Sequence, residues 1–208
     1  MKLLESIITF IMLTTKENNI DESHGMIHSF NTLHNAHNIF QAERFKHPEM
    51  IPHEQVIYIS SAIHDMCDKK YMNEIENLQK IDDFLTPQIS KGETNAIYDI
   101  INTMSYSKVK KKGFPDLGKY QTAYHVVREA DLLAAYDFDR AIIYNLYNKH
   151  DDIEGAYDES VELFNRRVFK HEENNLFTFD YTKQSSVYLK QQSLVRIKQW
   201  KNIIKTFK

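Results

Sequence analysis

Apolar side chains in this chain recur every three or four residues almost from end to end. Leu4, Ile7, Ile8 and Ile11 do so near the start, Val56, Ile59 and Ile63 further on, and Ile197, Trp200, Ile204 and Phe207 at the end. That spacing gathers the apolar residues of each segment on one side of an α-helix, and such a stripe has to be buried. Only 5 Gly and 4 Pro interrupt 208 residues, too few for the turns of a β-rich fold. The pattern predicts an all-α helical bundle. Helices are expected at about 2–16, 22–45 (with Asp21 as N-cap), 53–66, 72–85, 92–104, 158–170 and 182–207, and in a long stretch at about 119–149 bent near Asp137. Pro48 and Pro52 bound a loop, and Pro87 stops the fourth helix because the residue before proline avoids helical dihedrals. The lysine-rich Ser107–Gly118 reads as a loop, and Phe177-Thr178-Phe179 as a short strand or extended linker.

The length fits one domain, 1–208, with a motif-bearing core at 21–140 and a helical extension at 151–208. A net charge of -3 carries no broad nucleic-acid signal. The lone Cys67 cannot form an internal disulfide, which fits a reducing, cytoplasmic setting. Leu3 to Leu13 is apolar but interrupted by Glu5, Ser6 and Thr9, so an amphipathic helix is expected there rather than a signal peptide. No stretch is apolar enough to span a bilayer, so no membrane partner is expected, and homo-oligomerisation stays open.

The chemistry centres on Ile63-His64-Asp65-Met66-Cys67-Asp68. His24 and His28 precede it in Ser23-His24-Gly25-Met26-Ile27-His28, and Asp131 follows in Glu129-Ala130-Asp131. A His-Asp pair alone means little. Histidine, then His-Asp, then aspartate, each in a helix-like setting, is a ligand set for one hydrolytic divalent ion: Mn, Ni, Co, Fe or Zn, with Mg admitted by the carboxylates. His24 and His28, four apart, are expected to share a helix face. His34 and His37 also sit together, but these two, with His47, His53, His125, His150 and His171, read as solvated helix histidines. Cys67 reads as a buried thiol rather than a nucleophile.

In this order of motifs the chain resembles the HD superfamily of metal-dependent phosphohydrolases. Asp21-Glu22-Ser23-His24-Gly25-Met26-Ile27-His28 resembles the family's Asp-x-x-His-Gly-x-x-His, and His64-Asp65-Met66-Cys67-Asp68-Lys69-Lys70 its His-Asp-x-x-Asp-x-Lys. Ile101 to Lys108 resembles the Ile-x-x-x-Ser-aromatic-x-Lys turn of one subgroup, and Arg128 to Arg140 its Asp-Ala-Asp segment. There the chain departs from the subgroup: Glu129 and Leu132 replace an aspartate and an arginine, and Tyr136-Asp137-Phe138-Asp139 replaces a Gly-rich step.

The resemblance implies an HD-type bundle with His28, His64, Asp65 and Asp131 on the metal. It implies a phosphorylated small-molecule substrate, a nucleotide above all, losing phosphate or pyrophosphate to a metal-activated water. Asp68 is the expected catalytic acid, base or water-orienting group. His24 and Lys70 are the expected substrate contacts, with Lys108 and Lys112 as further cations. A phosphodiesterase or alarmone hydrolase is the neighbouring enzyme reading, though the latter's further Glu-Asp elements are missing. Outside enzymes, the alternative is a catalytically silent HD fold that binds a nucleotide or a protein.

Overall fold

The computed structural model describes residues 3–66, 74–148 and 152–207. Among them the chain forms ten α-helices, three short 3-10 segments and no strand. The helices are α1 (Leu3–Glu17), α2 (Met26–Glu43), α3 (Glu54–Ile63), α4 (Glu74–Leu85), α5 (Lys91–Thr103), α6 (Tyr106–Lys112), α7 (Gln121–Ala134), α8 (Phe138–Asn148), α9 (Ile153–Arg166) and α10 (Asp180–Thr206). The all-α expectation holds. No described helix is long and apolar enough to cross a membrane.

Three helices make the centre. α2, α3 and α7 pack on one another, with α5 against α3 and α1 across α2 and α3. Their shared core holds Ile39, Phe40, Val56, Ile57, Ile59, Ile63, Tyr124, Val126, Val127 and Ala130, all at 1% exposure or less. Each large apolar side chain buried there contributes roughly 1.5–3 kcal/mol. α8 and α9 pair beside this trio, and α10 runs over α2, α7, α8 and α9.

α7 is buried on nearly every side, so even its charged residues have to be satisfied internally. Arg128 and Glu129 pair at 2.9 Å, at 1% and 0% side-chain exposure. Arg128 also donates to the Leu176 carbonyl, and Glu129 accepts from the Thr178 amide (2.7 Å), the Phe179 amide (3.3 Å) and the Thr182 hydroxyl. Glu43 of α2 accepts from the Tyr181 amide at 2.8 Å. Two buried carboxylates thus hold the start of α10, where free amides and the helix dipole favour negative charge.

Helix boundaries differ from the sequence expectation at several places. Asp21 does not cap α2: its Oδ1 accepts from the Ser23 amide at 2.9 Å, building a turn that delays the helix to Met26. α3 ends at Ile63, so His64 and Asp65 follow the helix rather than lie in it. The expected loop at 107–118 begins instead as α6, whose lysines are exposed while Val109 is buried; Gly113, at φ +76°, ends it in a conformation that disfavours other residues. The stretch expected as one bent helix breaks at 135–137 into α7 and α8. α9 starts at Ile153 because the Asp152 side chain accepts from the Gly155 amide at 2.6 Å, and it ends at Arg166. Residues 176–178 form an extended linker: the Leu176 amide goes to the His171 carbonyl and the Thr178 amide to Glu129 rather than to a neighbouring strand. His171 is fully buried against the Tyr106, Tyr136 and Phe177 rings, and so is not the solvated histidine its polarity suggested.

Candidate metal centre

The turn at 21–25 delivers His28 in the first turn of α2, facing the central trio at 1% exposure. The end of α3 delivers His64 and Asp65, and the last turns of α7 deliver Asp131. Four donors from three distant stretches of sequence therefore come together where three helices meet. His28 Nε2 lies 3.0 Å from His64 Nε2, 3.2 Å from Asp65 Oδ2 and 3.3 Å from Asp131 Oδ1. His64 Nε2 lies 3.4 Å from Asp65 Oδ2 and 3.6 Å from Asp131 Oδ1. His28, His64 and Asp65 stand as a group able to hold a metal ion.

The chemistry of this donor set fits a cation. His64 Nδ1 donates to the Ser61 carbonyl at 2.9 Å, so in the neutral ring Nε2 turns a lone pair into the cluster. Asp65 Oδ2 is buried, wedged between two imidazole nitrogens at 3.2 and 3.4 Å. The 3.0–3.4 Å edges among His28 Nε2, His64 Nε2 and Asp65 Oδ2 are those of donors held about 2 Å from one common centre, and Asp131 Oδ1 flanks the two imidazoles at 3.3 and 3.6 Å. Burial alone would push both carboxyls up. The His64 charge and hydrogen bonds from His28 and His64 instead hold Asp65 well below the usual carboxylate range, and hydrogen bonds from the same two rings do so for Asp131. Burial would lower His64, but the Asp65 charge and a hydrogen bond to Asp131 raise it well above the ordinary histidine value. Two ionised carboxylates draw positive charge to this point.

Beside the cluster opens a cavity of about 760 Å³. His64, Asp65 and Asp131 form part of its wall, with Asp65 and Asp131 at 16% and 24% exposure, whereas His28 is closed off behind them. His24 lines the cavity too. It reaches there from the turn before α2 rather than from the helix face, its Nδ1 2.7 Å from Ser23 Oγ and its ring 6.2 Å from that of His28. The catalytic candidate Asp68, the substrate contact Lys70 and Cys67 lie outside the described residues. Lys108 borders the cavity and donates to the Asn102 carbonyl at 2.7 Å; Lys112 does not border it. His34 and His37 are exposed and take no part.

The structure adds cations that the motifs did not single out. Arg140, whose Nε donates to the Ser23 carbonyl, and Arg167 both line the cavity, as do Tyr106 and Tyr144. Arg140 closes the segment Arg128–Arg140 and could have been suspected from it. Arg166-Arg167 gives no such signal: Arg166 also borders the cavity but is exposed and pairs with Glu162 at 3.5 Å, whereas Arg167 follows the helix in irregular backbone (φ -125°, ψ -62°).

No protein-family model matches the chain, and no curated protein does. Among solved structures it is similar to a Lactobacillus plantarum protein determined as a structural genomics target, at 19% sequence identity and a TM-score of 0.70, covering 98% of this chain and 97% of that one. At that identity the likeness speaks for the helical fold alone: the two chains share one all-α architecture over nearly their whole lengths.

Proposed function

We propose that the chain is a metal-dependent phosphohydrolase of the HD type, acting on a nucleotide or another phosphorylated small molecule. The observation that carries this reading is the pair His28 Nε2 and His64 Nε2, 3.0 Å apart, with Asp65 Oδ2 and Asp131 Oδ1 each 3.2–3.6 Å from both, beside a cavity that also presents arginines. Those four residues would hold one divalent ion, Mn, Ni, Co, Fe, Zn or Mg. When bound, such an ion polarises a phosphoryl oxygen and makes hydroxide available near neutral pH. The protein's part is to position the phosphoryl group and offset its charge. Arg140 and Lys108 face the cavity for that purpose, and His24 stands on the wall beside His28 as a contact for the substrate. Asp68, three residues beyond Asp65, is proposed to hold or move the proton of the attacking water, and Lys70 to contact the phosphate.

The test is metal analysis of the purified protein, followed by turnover of a nucleotide panel with added Mn, Co or Ni. The expected result is one bound ion and phosphate or pyrophosphate release that Asp65→Ala abolishes. Protein that binds no divalent ion and turns over no phosphorylated substrate would overturn the reading; nucleotide binding without turnover would make it a silent binding module.

A further inference from the structure

Arg167 is the cavity residue least accounted for. Its guanidinium carbon lies 4.2 Å from the centre of the Tyr106 ring. Among the described residues nothing accepts a hydrogen bond from its guanidinium, and no carboxylate pairs with it. Arg140 lines the same cavity, close enough that its charge acts against the protonation of Arg167, as burial does more strongly, while Asp131 and Tyr106 act for it. Two guanidinium groups sharing a half-enclosed space repel each other unless an anion lies between them. A guanidinium with a free fork matches the oxygens of a phosphate, and stacking on an aromatic face fixes the plane in which the fork is presented. Position 132, where the resembling subgroup has arginine, is here a buried leucine on the same cavity wall. The cation near Asp131 thus comes from beyond α9 instead.

We propose that Arg167, held over the Tyr106 ring, binds a phosphoryl group of the substrate and sets its affinity. Calling the ligand a substrate rests on the phosphohydrolase reading; the anion site itself does not.

Pyrophosphate is the probe, titrated calorimetrically into the full chain with Mg²⁺ present. Arg167→Gln is expected to weaken binding at least tenfold and to raise KM for the hydrolysed nucleotide far more than it lowers kcat. Arg167→Lys should recover part of the affinity, and Tyr106→Leu should lose several-fold. Lys112→Gln, the same charge change on an exposed helix end, should stay within twofold. Parent-like binding by Arg167→Gln overturns the proposal, and so does an equal loss in Lys112→Gln. Should Arg167→Gln fail to fold by circular dichroism, Arg167→Lys and Tyr106→Leu decide, and parent affinity in both overturns it. A parent protein that hydrolyses nothing yet binds pyrophosphate through Arg167 sinks the enzyme reading and leaves this site standing. Hydrolysis with KM unchanged in Arg167→Gln sinks this site alone.

Discussion

Asp65 and Asp131 carry the negative charge of the cluster, and their loss should be felt first in metal content. Replacing a group that merely orients a ligand costs on the order of 10–100-fold in metal affinity, so removing a donor should cost at least that much. Asp65→Ala is therefore expected to emerge without its ion and without activity while keeping its helical circular dichroism; retained stoichiometric metal would refute the assignment. Gly25 makes a different demand. Its φ of -82° suits any residue, but a Cβ there would sit 3.2 Å from the Asp21 carbonyl oxygen and 3.4 Å from Thr15 Cγ2. The nearer atom is backbone and cannot swing aside, so Gly25→Ala should strain the turn that presents Ser23 and His24. The expected cost is about 1–3 kcal/mol, read as a lowered Tm, with a larger fractional loss of turnover than a surface change of equal cost.

At the scale of helices, Glu129 separates structure from chemistry two residues from Asp131, a proposed metal donor. Its carboxylate turns away from the cluster and serves Arg128, Thr178, Phe179 and Thr182. Glu129→Ala leaves Arg128 buried and unpaired, a loss of about 3–5 kcal/mol by urea denaturation, yet should leave metal affinity in the folded protein within a few-fold. A variant that folds as well as the parent but loses its ion would reverse that assignment. The same helix shows what a sequence can disclose. The apolar period of α7 and the order of His28, His64, Asp65 and Asp131 are local facts, and both could be read directly. The place of Arg167, the burial of His171 and the helix at 106–112 were hidden because each depends on partners distant in sequence. The short α6 has a single buried apolar anchor, Val109, which is no period at all.

Across the whole molecule, burial of neutral histidine makes the fold sensitive to acid. Burial, helped by the Arg167 charge, brings His171 down to about 3, and burial with Arg128 brings half-buried His125 to about 4. In the unfolded chain both return to roughly 6.5. Between those values the unfolded state binds protons that the native state refuses, so stability is full above about pH 6.5 and falls as pH drops toward the native values. His171 alone adds a slope of up to about 1.4 kcal/mol per pH unit. His171→Leu should flatten the fall of Tm between pH 6 and 4.5 by about one proton's worth, with His125 sustaining the remainder; an unchanged slope would show that His171 is protonated in the native protein.

The unequal exposure of the four donors bears on the order in which things leave. Among the described residues His28 is closed off within the helix trio and His64 is nearly so, while the two carboxylates are the more exposed to the space a phosphorylated ligand would fill. An ion held there would leave through that space, and a bound ligand stands across it. Departure should then be sequential: ligand first, ion second. Stripping by a chelator should slow in proportion to the fraction of protein carrying pyrophosphate, so that the protein is hardest to demetallate when its cavity is filled.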